Sequence, residues 1–206
     1  MTDIDSIMRL APVIPVLVID DVAHAVTIAA ALVAGGLPIL EITLRTTAAL
    51  DVIRAMASVP GAIVGAGTVL NSRDLDAALA AGARFIVSPG LTAPLAEAAI
   101  AARVPFLPGT ATAADIMRGL DLGLTRFKFF PAVAAGGLPA LKALAAPFGQ
   151  VHFCPTGGIT QATAAEWLAV PAVSCVGGSW LVPSGTPDAR GIEAAARQAA
   201  ALAHAA

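Results

Sequence analysis

Arg126-Phe127-Lys128-Phe129-Phe130-Pro131 is short, aromatic-rich and closed by proline. Such a run predicts a buried strand that ends at a turn. Side chains alternate across a strand, so Lys128 points away from Phe127 and Phe129. An ammonium inside a hydrophobic run is costly unless it is paired or used. Burial also favours the neutral amine, which is the form that attacks a carbonyl to make a Schiff base. The bland alternative is an edge strand with Lys128 in solvent. Lys142 is the only other lysine in the chain.

Working outward, this strand belongs to a repeated strand–helix alternation of about 25 residues per unit. The strand candidates are Val13–Ile19, Ile39–Thr43, Ala62–Gly65, Arg84–Val87, Pro105–Leu107, Phe127–Phe129, Val151–Cys154 and Val173–Val176. Ala- and Leu-rich helical stretches lie between them, including Ala23–Ala34, Asp74–Ala81, Pro94–Ala102 and Leu138–Ala145. Eight strands each followed by a helix is the (β/α)8 TIM-barrel count, and 206 residues is near that fold's compact limit. The chain reads as a single α/β domain over residues 1–206, with a helical arm within residues 1–11 and a final helix from Gly191 to Ala206. A doubly wound open sheet is the runner-up. No G-x-G-x-x-G opens the first unit, which argues against it.

Hydrophobic residues make up 57% of the chain and charged ones 13%, which excludes a disordered protein and suggests a buried oligomer interface. The net charge is −2 with no basic cluster, so nucleic acid is not an expected partner. Cys154 and Cys175 are too few for a disulfide framework and read as buried thiols of a reducing compartment. Asp3 and Asp5 precede the first hydrophobic run, unlike a signal peptide. The longest uncharged run is broken by Gly35, Gly36 and Pro38, unlike a membrane span. The expectation is a cytoplasmic protein.

In such barrels the active site lies where the strands end. The second strand runs into Glu41-Ile42-Thr43-Leu44-Arg45-Thr46, with Glu41, Thr43 and Arg45 on one face. A carboxylate and a guanidinium there are either functional or a structural Glu41–Arg45 ion pair. The third strand enters Gly65-Ala66-Gly67-Thr68, where the glycines permit close approach and Thr68 is either a ligand hydroxyl or a helix cap. Ser88-Pro89-Gly90 and Pro108-Gly109-Thr110 are sharp turns lining the mouth. The last two strands end in Thr156-Gly157-Gly158 and Gly177-Gly178-Ser179. Paired glycine loops at these places commonly bind phosphate through backbone N–H groups. Of the histidines, His24 and His204 read as surface residues and His152 as a barrel-floor imidazole. No His/Asp/Glu cluster has metal-ligand spacing, so no metal and no cofactor are called for.

Taken together, PVIPVLVIDD, ALVAGGLPILEITLRT, IVGAGTVLN, FIVSPGLTAPL, RFKFFPA, GQVHFCPTGGIT and VGGSWLVP resemble the 2-keto-3-deoxy-6-phosphogluconate (KDPG) aldolases, a group that also includes 4-hydroxy-2-oxoglutarate aldolase. The likeness runs from Pro12 to Pro183, nearly the whole chain. It implies a class I aldolase, a carbon–carbon lyase on a (β/α)8 barrel, assembled as a homotrimer. The substrate would be KDPG, cleaved reversibly to pyruvate and glyceraldehyde 3-phosphate in the Entner–Doudoroff route. The family's Schiff-base lysine falls on Lys128 and its acid/base glutamate on Glu41. The substrate-binding set falls on Arg45, Thr68, Pro89 and Thr156, and the phosphate loops on Gly157, Gly158, Gly178 and Ser179. The competing readings are a sibling aldolase for the galactonate epimer or 4-hydroxy-2-oxoglutarate, a Schiff-base dehydratase or decarboxylase, and a non-catalytic phosphate-ligand barrel.

Overall fold

A computed structural model describes residues 3–202; His204 and the end of the expected final helix lie outside them. Helix α1 (Ile4–Arg9) precedes β1 (Val13–Leu17), a short 3-10 turn (Val22–His24) and α2 (Ala25–Ala34). Then come β2 (Ile39–Thr43), α3 (Ala49–Ala57), β3 (Ile63–Gly67), α4 (Ser72–Ala80), β4 (Ile86–Val87) and α5 (Ala93–Ala101). The second half holds β5 (Phe106–Leu107), β6 (Gly109–Thr110), α6 (Ala113–Asp121), β7 (Arg126–Phe129) and α7 (Gly137–Ala145). It closes with β8 (His152–Pro155), α8 (Ala164–Leu168), β9 (Val176–Gly178) and α9 (Ala189–Ala200). No described helix is long and apolar enough to cross a membrane.

Every strand pairing is parallel. Six strands form one curled sheet in the order β5-β4-β3-β2-β1-β9, and three form a second in the order β6-β7-β8. The strand expected at Pro105–Leu107 is β5, and the turn expected at Pro108-Gly109-Thr110 instead carries a further short strand, β6, just after Pro108. Proline has no N–H for a ladder, but the Pro108 carbonyl still accepts from the Lys128 N–H at 2.8 Å. Single parallel bridges, Phe153 to Val173 and Thr156 to Gly177, link the second sheet to the β9 side of the first. The last strand begins at Val176 and not at Val173, because Val173 makes only that one bridge. Strand β3 runs on through its glycines to Gly67, two residues beyond the expected end.

The strands are buried on both faces, as parallel sheets under a helical shell must be. Leu40, Ile42, Phe127, Phe129 and Phe153 pack into the large core beneath the helices. The alternate residues Ile14, Ile39, Phe85, Leu107, Cys154 and Cys175 form a smaller inner cluster with Ile7 and Met8 of α1. Asp5 of α1 pairs with Arg126, the first residue of β7, which fixes α1 at the end where the strands begin. His152 lies at that same end. Its imidazole is held below the ordinary value by burial and by the Arg126 and Arg9 charges. His24, expected on the surface, is half-buried and faces Asp21 at 4.0 Å.

The inner cluster has little slack at β3. A Cβ placed on Gly65 would stand 2.5 Å from Phe85 Cδ1. Gly65→Ala should therefore lower unfolding free energy by about 1–3 kcal/mol, the usual cost of overpacking. Urea denaturation at neutral pH measures it.

Candidate active site

Lys128 lies on the inner face of β7, between Gly109 of β6 and Cys154 of β8. It is 5% exposed, and Phe127 and Phe129 turn to the helical shell, as strand alternation requires. Its Nζ donates to Glu41 Oε1 at 2.9 Å. Glu41 comes from β2 and is 3% exposed. The pair therefore spans the interior between strands of different sheets. This replaces the local Glu41–Arg45 ion pair that the sequence also allowed. The Phe130 ring lies 5.4 Å from the ammonium, within cation–π reach. Sequence reasoning gave Phe130 no role, although it is two residues beyond Lys128 and so shares its face. Beneath the pair, burial and contact with Cys154 push the Cys175 thiol well above its ordinary value, which keeps that thiol uncharged.

Arg45 is placed differently from expectation. Strand β2 ends at Thr43, so Arg45 sits in the following turn and not on the strand face with Glu41 and Thr43. The turn is tied down on both sides. Thr43 Oγ1 donates to the Leu17 carbonyl at 3.0 Å, and Thr46 Oγ1 donates to the Ile19 carbonyl at 2.8 Å. Both acceptors lie at or just past the end of β1. Arg45 itself is exposed, and among the described residues its guanidinium has no hydrogen-bond or ion-pair partner. A fixed loop carrying a free fork of N–H donors suits a carboxylate. The two threonines explain the spacing of I-T-L-R-T.

Thr68 follows β3 directly and has φ 59°, in the left-handed region. A β-branched residue there is a genuine outlier, and such strain collects at ligand sites. The cap of α4 is Asn71, whose side chain accepts from the Asp74 N–H, so Thr68 is not the helix cap. Pro89 is exposed, with its carbonyl against Gly109; Ser88 Oγ donates to the Gly90 carbonyl at 2.7 Å and holds that turn.

Thr156 is 6% exposed and its hydroxyl donates to the Cys154 carbonyl at 3.3 Å. It bridges to Gly177, where a Cβ would stand 2.8 Å from Thr156 Cγ2. Gly157 and Gly158 have φ of 105° and 79°, a turn that other residues adopt poorly. Gly178 ends β9 and Ser179 is exposed just after it. Among the described residues the N–H groups of Gly158 and Ser179 donate to no protein acceptor. The Thr156–Gly177 bridge brings these two loops side by side.

A buried amine–carboxylate pair thus lies in the interior, and the segments that follow the strands carry Arg45, Thr68 and the paired glycine loops. Removing one partner of such a pair leaves an uncompensated buried charge, at a cost of about 3–5 kcal/mol. Lys128→Met should lower stability by about that amount, and Lys128→Met with Glu41→Leu should recover most of it. Equilibrium unfolding of both variants checks this.

Comparison with known proteins adds the relationships of the chain. The model of the family described as KDPG and KHG aldolase matches residues 4–195. A 2-dehydro-3-deoxy-phosphogluconate aldolase of Zymomonas mobilis is 62% identical over 206 residues, covering 100% of this chain and 99% of that protein. The crystal structure of the 2-keto-3-deoxy-6-phosphogluconate aldolase of Zymomonas mobilis with 3-phosphoglycerate superposes with a TM-score of 0.98 at 61% identity, covering 100% of this chain and 98% of that one. The KDPG aldolase of Legionella pneumophila, with pyruvate captured as a covalent carbinolamine intermediate, has a TM-score of 0.94 at 42% identity, covering 97% of this chain and 99% of that one.

Proposed function

This chain belongs to the KDPG and KHG aldolase family, and from that premise we propose that it is a class I aldolase cleaving KDPG reversibly to pyruvate and glyceraldehyde 3-phosphate. The observation that carries this is the buried Lys128–Glu41 hydrogen bond of 2.9 Å at the ends of the strands. Proton transfer along it yields the free amine and a carboxylic acid in contact.

Lys128 Nζ adds to the C2 ketone and forms a carbinolamine. Glu41 returns the proton to the departing hydroxyl, water leaves, and an iminium remains. The iminium is an electron sink. The Glu41 carboxylate, directly or through a water, takes the C4 hydroxyl proton as the C3–C4 electron pair moves to the nitrogen. This releases glyceraldehyde 3-phosphate and leaves an enamine. Protonated Glu41 then delivers that proton to the enamine methylene, and water hydrolyses the resulting iminium to pyruvate and the free lysine.

Arg45 holds the carboxylate of the keto acid, with the Thr68 hydroxyl and the Pro89 turn alongside. Thr156 faces the hydroxylated carbons. Gly157, Gly158, Gly178 and Ser179 receive the phosphate, and the N–H groups of Gly158 and Ser179 have no competing acceptor among the described residues. Binding the phosphate far from C3 lets remote contacts orient the reacting carbon.

We also read the nine strand segments as a closed (β/α)8 barrel in one domain. Strands β5 and β6 are then the halves of one stave, and the two single bridges close the seam between β8 and β9. A cytoplasmic homotrimer serving Entner–Doudoroff sugar-acid breakdown is the setting that the family resemblance supports.

Lys128→Ala should abolish pyruvate release from KDPG while its circular dichroism stays that of the wild type. Turnover at the wild-type rate in that variant contradicts the mechanism. The same coupled assay on the C4 epimer and on 4-hydroxy-2-oxoglutarate should give lower kcat/KM than KDPG.

A further inference from the structure

The inner face of β3 carries two glycines, and a different side chain lies over each. In register Glu41 is opposite Gly65, and Thr43 is opposite Gly67. The Glu41 carboxyl does not lie over its own partner, because the Phe85 ring fills that space. The side chain instead runs toward the strand end and lays its carboxyl over Gly67. A Cβ on Gly67 would stand 2.7 Å from Glu41 Cγ and 2.8 Å from Cδ, closer than real Cβ atoms come. Gly67 is not among the glycines with positive φ. Its backbone would accept any residue, so the lack of a side chain serves the neighbour and not the chain's own conformation.

We infer that Gly67 is a positioning residue for Glu41: the space it leaves sets where the carboxyl sits and so its 2.9 Å approach to Lys128. Phe85 blocks a retreat down the strand, and Lys128 stands in front. An added methyl must push the carboxyl off its line to the substrate carbons. The amine remains able to add to a ketone. This inference rests on the assignment of Glu41 as acid and base.

The test uses pyruvate in deuterated water. Bound as the Lys128 iminium, pyruvate loses a methyl proton to the Glu41 carboxylate and forms the enamine; after exchange with solvent the acid returns a deuteron. Methyl exchange is followed by NMR, and iminium formation by borohydride trapping at equilibrium. Gly67→Ala should slow exchange about 100-fold, in the range of acid–base contributions, while the trapped fraction stays within about twofold of wild type. In a Glu41→Gln background the same change should have an effect below about twofold, because there is no carboxylate left to misplace. Exchange in Gly67→Ala equal to wild type overturns the inference, and so does an equal loss in the Glu41→Gln background. If Glu41→Gln alone leaves exchange unchanged, the acid–base assignment falls, and the inference with it. Should Gly67→Ala fail to fold, it should fold once Glu41→Ala vacates the space and Lys128→Met removes the charge left unpaired; failure of that triple variant, where Glu41→Ala with Lys128→Met folds, also overturns the inference.

Discussion

A carboxylate and an ammonium held together almost out of water are expensive, and the site is organised around that cost. Desolvating both ions is repaid only by close contact and good geometry. Glu41 and Lys128 have the contact, at 2.9 Å, and neither is more than 5% exposed. The pair joins β2 of the six-strand sheet to β7 of the three-strand sheet, 87 residues apart in sequence. The same link that ties the two sheets together sets a carboxylate beside an amine, the arrangement that the proposed mechanism uses. In the proposed mechanism stability and chemistry therefore draw on one interaction, because a proton moving along it would convert the ion pair into a free amine.

The surroundings follow from keeping that pair in place. Below it lies an apolar layer of Phe85, Leu107, Cys154 and Cys175, stoppered by Ile7 and Met8 of α1. Above it, the strand ends carry groups left open to a ligand: the Arg45 turn pinned by Thr43 and Thr46, the left-handed Thr68, and the paired glycine loops. Glycine recurs on the inner face where neighbouring side chains occupy the space a Cβ would take. Glu41 lies over Gly67, and Thr156 packs against Gly177.

Much of this was legible in the sequence where the signal is local. The run Phe127-Lys128-Phe129 forces alternation, so Lys128 was set opposite the two phenylalanines; that its face is interior and not a solvent edge is what the structure adds. The bounds of β2 came out unchanged, and Glu41 was placed on the inner face. What failed was non-local. Arg45 was read as continuing the strand, but Thr43 and Thr46 bond to carbonyls at and just past the end of β1 and tie the chain into a turn, and a single strand's pattern does not carry that information. Glu41 had Arg45 as its near partner in sequence, whereas its partner in space is Lys128. Pro108-Gly109-Thr110 reads as a turn in sequence, yet Gly109 and Thr110 pair with β7 while Phe106 and Leu107 pair with β4. Gly67 looked like a place for a ligand or a tight turn, and is a seat for a side chain.

The central claim is that Lys128, and no other group, forms the imine with the keto acid. Borohydride reduction in the presence of pyruvate, followed by peptide mass mapping, tests it most directly. The account predicts a mass gain confined to the peptide that carries Lys128. A gain on Lys142, which is exposed on α7, or no adduct at all on the folded protein, would contradict it.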